Sequence, residues 1–537
     1  MIPSNTLATL QALTLEAVRS GRLGGLEVET VLVDETVQSI PWRRLGRDAR
    51  RPETRVVVAL CGVQTNQVPR AWDLARRFRE RGLEVLIGGF HVSGANAVLG
   101  GVAPELRELM DLGVHLFRGE ADACWEEILR GAAEGTLPPM IDRMDSRPDL
   151  RGRPIPVAEP AYLRRFALPD TGTLDAGRGC PFDCSFCTVV QVQGRAMRCR
   201  APVDLLAALR RQYLQGTRFY FFTDDNFARH REWEEIFDGL AGLRREGLDL
   251  TFVMQVDTLA ARIPRFADKA AAAGCLQVFI GLESLNPENL AAGGKRQNQA
   301  ADFREMIAAW HARGIVTNCG YILGFPADTP ASLAEDVRRL REEIGPALAS
   351  FFILTPLPGS RDHARAVEDG LRLDGDLNRY DSFHPVAPHP RMSGEDLARA
   401  YRQAWRDFYT PSHMKRCLRR FRGAAYGNLF HSYVWYRNAM ELGEHPMMSG
   451  FLRLRDRRER RASFPREGRM AHAWRQGREL VRQLRAWTRL IPEMRDVWKD
   501  TRRPGEGMGG LSAVLKAAFA ASGTAWKNLL PRTFFSV

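Results

Sequence analysis

Strand-length apolar runs alternate with amphipathic helices along most of this chain, and no other feature restricts its fold so strongly. Such alternation implies a parallel sheet with helices on its faces. Residues 1–21 read as a first helix. LEVETVLVD (26–34) reads as a strand and RVVVALC (55–61) as a second, buried one. AWDLARRFRERG (71–82) follows as an amphipathic helix with Trp72, Leu74, Ala75 and Phe78 on its apolar side, stopping at Gly82. EVLIGGFHVSG (84–94) is a strand with a glycine-rich turn, and VHLFRG (114–119) a further strand before a helix near 122–134. The proline-rich stretch 138–160 reads as a linker. A second series then has six strand candidates: 173–176, 218–223, 250–256, 276–282, 315–325 and 350–356, separated by helices such as 203–216 and 301–314. Six such units make a partial version of the eight-unit barrel, whose reactive groups sit at the carboxyl ends of the strands.

Directly after the first strand of that second series lies GRGCPFDCSFCTVV (177–190). Cys180, Cys184 and Cys187 form a C-x3-C-x2-C array. Three thiolates on so short a loop can hold a metal cluster and leave one corner without a protein ligand. A zinc site is the plainer alternative, but structural zinc takes four ligands, often as two C-x2-C pairs, and no second pair exists here.

This array, with Phe186 before its last cysteine, resembles the radical S-adenosylmethionine (SAM) superfamily. The resemblance implies a 4Fe-4S cluster on Cys180, Cys184 and Cys187 that binds and cleaves SAM to activate a substrate C–H bond. It also implies an external electron donor such as a flavodoxin or ferredoxin. Carried strand by strand, it places Asp224, Asp225 and Asn226 after the second strand, Gln255 at the end of the third and Glu283 at the end of the fourth, all lining SAM. Gly320, Ile322 and Gly324 match the segment that packs against adenine. Family versions of that segment often end in Glu, where this chain has Ala327 and Asp328. On position alone the carboxylates also suit a helix N-cap or a solvated loop. Lys295 and Arg296 suit either a substrate anion or a solvated loop, and Cys61, Cys199, Cys275 and Cys319 read as structural thiols.

The stretch from Val56 to Gly94, with Arg118-Gly119-Glu120, resembles the cobalamin-binding domain that precedes the barrel in one class of these enzymes, the class that includes anaerobic Mg-protoporphyrin monomethyl ester cyclases and hopanoid-modifying enzymes. The resemblance implies cobalamin contacts from Thr65, Asn66, Gly88, Gly89, His91, Gly119 and Glu120. Gly88 and Gly89 equally suit a tight turn closing a strand. Two features depart from the pattern: the D-x-H-x-x-G segment that ligates cobalt elsewhere is absent, and so is the expected first strand. The expected architecture is therefore α/β. A Rossmann-like cobalamin-binding-type domain (1–150) precedes a partial (β/α)6 TIM-type barrel (165–390) and a helical, basic region (391–537). The expected reaction is cobalamin-dependent methyl transfer, radical cyclisation or rearrangement on a small hydrophobic or lipid-like substrate. A non-catalytic cobalamin- or metal-responsive binding protein is the alternative.

Charge is unevenly placed. The chain of 537 residues has a net charge of +13, yet residues 413–537 alone hold 26 Lys+Arg against 10 Asp+Glu, so the rest is slightly acidic. Within this basic part, FLRLRDRRERR (451–461), VRQLRAWTRL and IPEMRDVWKD are interspersed with Trp474, Trp487, Trp498 and Trp526. Such segments suit a solvated helical appendage or an anionic membrane surface. No base-reading module is evident, so nucleic acid is a poor fit. Nine scattered cysteines argue against a disulfide framework. No secretory signal opens the chain, and no apolar run of about 18 residues occurs. A cytoplasmic protein, with peripheral contact on the inner face of the membrane, fits these features.

Overall fold

The computed structural model describes residues 2–166, 168–447 and 468–502. The segment 451–461 and Trp526 lie outside these residues. Two parallel sheets organise the molecule. The first has four strands in sequential order: β1 (Val57–Leu60), β2 (Glu84–Gly88), β3 (His115–Arg118) and β4 (Met140–Asp142). The second has six, ordered β10-β9-β8-β7-β6-β5: β5 (Thr171–Leu174), β6 (Phe219–Phe222), β7 (Thr251–Val256), β8 (Cys275–Glu283), β9 (Val316–Leu323) and β10 (Leu348–Ile353). This open six-stranded parallel sheet is the expected partial barrel.

Two sequence expectations are corrected. Residues 26–34 form no strand, and Leu26 and Val31 are exposed. Their alternation has the right period, but no ladder partner takes them up, and periodicity cannot supply one. Conversely, the proline-rich linker contains β4, which pairs with β3 from Leu116–Met140 to Arg118–Asp142. Its prolines precede an edge strand, where a missing N–H breaks no ladder bond.

The first helix, α1 (Asn5–Arg19), is capped by the Ser4 side chain, which accepts from the Leu7 amide. It does not join the first sheet. It lies against α3 (Trp125–Glu134), where the Trp125 indole N–H donates to Thr14 Oγ1 at 2.8 Å, and it reaches the barrel through Asn5. The helix α2 (Val68–Arg79) covers the sheet with Val68, Leu74, Ala75 and Phe78. The barrel's helices bury a continuous aromatic layer that includes Phe222, Phe237, Phe252, Phe266 and Trp310. Truncating one such ring to alanine costs about 3–5 kcal/mol, so this half is rigidly packed. Beyond it, α4 (Gly394–Phe408), α5 (Pro411–Leu418), α6 (Gly423–Leu442) and α7 (Arg469–Thr501) stack on the β8–β10 side.

The two halves meet at a buried ionic knot. The barrel supplies Arg178, Arg198, Arg200 and Asp175, while the turn after β3 supplies Glu120 and Asp122. Arg178 reaches Glu120 at 2.8 Å, Asp122 at 2.7 Å and Asp175 at 2.9 Å. Arg198 pairs with Glu120, and Arg200 with Asp175 at 3.1 Å. Burial opposes the charge on Arg178, but Asp175, Asp122 and Glu120 outweigh it and raise its pKa. Burial likewise opposes ionised Asp175, but Arg200 and Arg178 hold its carboxyl down at about 2. Removing one member of such a set leaves a buried charge uncompensated. Arg178→Met is therefore expected to lower stability by about 3–5 kcal/mol, measured by urea unfolding at neutral pH. A change within error would show that the knot does not hold the halves together.

Candidate cluster site and interdomain cavity

The cysteine loop springs from a two-residue antiparallel ribbon, Gly177–Arg178 against Arg198–Cys199, which the ionic knot anchors. Gly179 has φ +102°, and a Cβ there would lie 2.5 Å from the Ala196 carbonyl, so the turn into the loop requires glycine. Three further contacts hold the loop. The Cys180 amide donates to Gly194 O at 3.2 Å, the Ser185 amide to Gly293 O at 3.0 Å, and Arg361 to Asp183 Oδ2 at 2.9 Å. Phe186 meets Phe325 edge-on, with centroids 6.3 Å apart. Cys199, in the ribbon, is buried.

Among the described residues, no three His, Cys, Asp or Glu side chains converge on a single metal ion. Burial raises the pKa of Cys180, Cys184 and Cys187, the last to about 12, so the thiolates need cationic partners. One is present. Burial opposes the charge on Lys295, but Glu283, Cys184 and Cys187 outweigh it and raise its pKa. The Lys295 side chain is 12% exposed and pairs with Glu283 at 2.8 Å. Lys295 is therefore neither a solvated loop residue nor free for a substrate anion, while Arg296 is exposed.

The strand ends place the other expected residues around this loop. Asp224 is buried. Its Oδ2 accepts from the Ala176 amide at 2.9 Å, and its Oδ1 has no hydrogen-bond partner among the described residues. Burial pushes its carboxyl up to about 8 and that of Asp225 up to about 7. Gln255 donates to the Asp224 carbonyl at 3.1 Å. Asn226 donates to Asp257 Oδ2 at 2.9 Å and lies 3.9 Å from Cys180 Sγ. Asp257 in turn accepts from Nε and Nη2 of Arg229, each at 2.6 Å. Glu283 is held at φ +68°, where β8 has a register irregularity against β9. Non-glycine residues hold this conformation at a cost and mostly where function requires it. A Cβ on Gly320 would lie 2.8 Å from the Phe279 ring, so packing within the sheet already demands that glycine. Ile322 is buried beside it. The departure at Ala327-Asp328 has a structural role: Asp328 Oδ2 accepts from the Gly324 and Phe325 amides at 2.9 Å.

A cavity of about 300 Å³ separates the carboxyl edges of the two sheets. Gly88, Gly89, Gly119 and Glu120 line one side, Asp175, Thr223 and Asp225 the other, and Asn5, Thr6 and Thr9 of α1 close it. Cys61, expected in the core, also lines it, and burial pushes its thiol up to about 12. The glycines are required by the chain itself. A Cβ on Gly89 would lie 2.1 Å from the Val63 nitrogen, and one on Gly119 2.8 Å from the Arg143 backbone. Glu120 is committed to Arg178 and Arg198. Thr65 and Asn66 line a separate cavity of about 180 Å³ with Thr188 and Tyr380. His91 is buried with both ring nitrogens engaged, by Thr65 Oγ1 at 3.2 Å and Glu105 Oε1 at 3.0 Å.

Sequence reasoning missed Arg178, Arg198, Arg200, Asp175 and the Lys295–Glu283 pair as parts of the site. Asp175 and Arg178 flank the turn into the cysteine loop, which was the available signal.

Residues 175–340 match the Radical SAM superfamily. The chain is 25% identical over 425 residues to the bacteriochlorophyllide d C-12(1)-methyltransferase of Chlorobaculum tepidum, covering 76% of this chain and 83% of that one. It is 27% identical over 340 residues to the hopanoid C-2 methylase of Rhodopseudomonas palustris, covering 61% of each. Among solved structures it is similar in fold to the radical S-adenosylmethionine methyltransferase TsrM of Kitasatospora setae with cobalamin and a [4Fe-4S] cluster bound. That likeness has a TM-score of 0.57 at 18% identity and covers 78% of this chain and 88% of that one.

The raised carboxyl of Asp224 carries a stability consequence. A carboxyl whose folded pKa lies above its unfolded value favours folding in its protonated form. The favourable contribution is full below pH 4 and is lost as pH rises toward 8. Asp224→Asn should flatten the decline of stability across that window in the metal-free protein, as read by thermal unfolding against pH. Parallel curves for variant and parent would refute the assignment.

Proposed function

We propose that this chain, which its domain at residues 175–340 makes a radical SAM enzyme, is a cobalamin-dependent C-methyltransferase acting on a hydrophobic substrate. The observation that carries the reading is the cysteine loop: three thiols, Cys184 buried and Cys180 and Cys187 half-buried, at the carboxyl end of β5, beside a cavity onto which the carboxyl edges of both sheets open. In the superfamily, the reduced cluster and SAM supply the one-electron chemistry that activates a substrate C–H bond, and a corrin supplies a transferable methyl group.

The residues present suit these groups. Cys180, Cys184 and Cys187 would hold the cluster. Lys295 places a cation beside Cys184 and so offsets the cost of buried thiolates. The unpartnered Asp224 Oδ1 would accept from the ammonium group of SAM, with Asp225, Asn226, Gln255 and Glu283 completing a polar wall. Gly320, Ile322 and Gly324 offer a flat apolar floor to adenine. On the other side, Gly88, Gly89, Gly119 and Glu120 border the space for a corrin. That space lies at the lower end for small-molecule pockets, and Asn5 bridges it to Asp175 at 3.1 Å and to Thr223 at 3.3 Å. Corrin binding is therefore expected to break those two bonds. An acidic electron donor of the flavodoxin or ferredoxin type would deliver the electrons. Peripheral membrane contact through the basic C-terminal region would bring the enzyme to a lipid-like substrate. No described helix is long and apolar enough to cross a membrane.

Anaerobically reconstituted protein with cobalamin supplied should show both cluster and corrin absorbance, with about four irons and one cobalt per chain. Dithionite should then elicit SAM cleavage. Cys184→Ala should lose cluster absorbance and cleavage together while keeping the corrin. Asn5→Ala should tighten cobalamin binding in a spectral titration. A protein that binds corrin yet never cleaves SAM would be a binding protein, and one with cluster but no corrin would overturn the methyl-transfer reading.

A further inference from the structure

The longest helix among the described residues has two apolar faces, and only one is covered. α7 buries Gln483, Ala486, Leu490, Met494, Val497 and Trp498 against α5 and α6. It is pinned there by Lys415–Asp500 and by a two-pronged Arg437–Glu493 pair. The opposite face carries Met470, Trp474, Val481, Leu484 and Ile491, which are 87%, 66%, 46%, 41% and 37% exposed. Their spacings of four, seven, three and seven residues keep them on one side of a helix. At 3.6 residues per turn this stripe lies about half a turn from the buried face. Burial against the molecule therefore does not explain it, and a merely solvated face would be polar.

The charges beside the stripe indicate its partner. Arg478, Arg485 and Arg489 run along one edge, which ends at Asp496, and Arg495 and Lys499 continue the line of the stripe past Ile491. The Arg478 guanidinium lies 4.6 Å over the Trp474 ring, so an aromatic and a cation present together at the surface. α7 holds eight Arg+Lys against four Asp+Glu, within a C-terminal part that is itself strongly basic. A nucleic acid would use the arginines and leave the apolar stripe in water. An anionic lipid surface uses both: apolar side chains enter the boundary between headgroups and acyl chains, and arginines meet the phosphates.

We propose that the outward face of α7 docks flat on an anionic bilayer through Met470, Trp474, Val481, Leu484 and Ile491, with Arg478, Arg485 and Arg489 on the lipid phosphates. This gives a specific surface to the membrane contact proposed above. It rests on that reading of the C-terminal region and not on the reaction.

Flotation of the full chain with vesicles tests it. The protein should float with phosphatidylcholine–phosphatidylglycerol vesicles, far less with phosphatidylcholine alone, and less as salt increases. Val481→Asp with Leu484→Asp should abolish flotation. Replacing Arg478, Arg485 and Arg489 by Gln should weaken binding to the anionic vesicles by about 100-fold, at roughly 1 kcal/mol per basic residue. The arginine set removes no apolar side chain and, of the contacts to α6 among the described residues, only the Arg489–Glu441 pair at 3.7 Å, so it reports even where the aspartates disturb folding. Wild-type protein that does not float would overturn the proposal and point to another cover, such as residues 503–537. Equal flotation with both lipids, or variants that float like wild type, would overturn it as well. Because the readout is binding, failure here leaves SAM cleavage a separate question.

Discussion

Arg178, Arg198 and Arg200 meet Glu120, Asp122 and Asp175 where almost no water reaches: Arg200 is 1% exposed, Asp122 5% and Asp175 3%. Ions buried this deeply are worth keeping only when each has partners, because the desolvation penalty otherwise exceeds the attraction. Here every charge has one, and the partners come from both halves of the molecule. The knot thus sets the distance between the two sheets. It also fixes the ribbon from which the cysteine loop grows, since Arg178 and Arg198 are ribbon residues. The position of the three thiols relative to the interdomain cavity follows from these pairs more than from the loop's own contacts.

The cluster end carries the opposite electrostatic situation. Asp224 is buried and Asp225 half-buried, among the described residues no cation lies close enough to hold their carboxyls down, and both are pushed up. Three thiols beside them are likewise disfavoured as anions. A largely enclosed cation, Lys295, is shared between Glu283 and the thiols. A site that concentrates groups whose charged forms are unstable alone is a site that gains from binding cationic species. The knot stabilises the fold without a ligand, whereas the strand-end carboxylates and thiols await one.

The barrel was legible because its strands are long, apolar and followed by amphipathic helices, and because the C-x3-C-x2-C spacing sits after the first of them. Asp224, Gln255 and Glu283 were reachable because residues at strand ends point to one rim. The first sheet was read less well. Residues 26–34 alternate like a strand, yet strand formation depends on a neighbour the local sequence does not encode. β4 has three residues next to two prolines, too short for periodicity to register. The knot was invisible because its members come from segments around 120, 175 and 200, and an isolated Arg or Asp in a sequence reads as solvated surface. Gly88, Gly89 and Gly119 were found, but for a partly different reason: Gly89 and Gly119 answer first to backbone approaches within the chain.

α1 connects these observations. The first sheet runs β1 to β4 in order, and α1 borders the cavity at its carboxyl edge without joining it. α1 is held by Thr14 to Trp125, by Gln11 to Glu159 at 2.8 Å, by Ala8 packed against Tyr162 and Phe166, and by Asn5 across the cavity. The Asn5 contacts are two neutral or singly charged hydrogen bonds, each worth about 0.5–3 kcal/mol net, whereas the knot behind them is a network of full charges. A ligand large enough to fill the space between the sheets therefore displaces the Asn5 contacts more readily than it parts the knot. Enlargement of the cavity should proceed by release of the Asn5 side chain, with the cysteine loop and its ribbon staying in place.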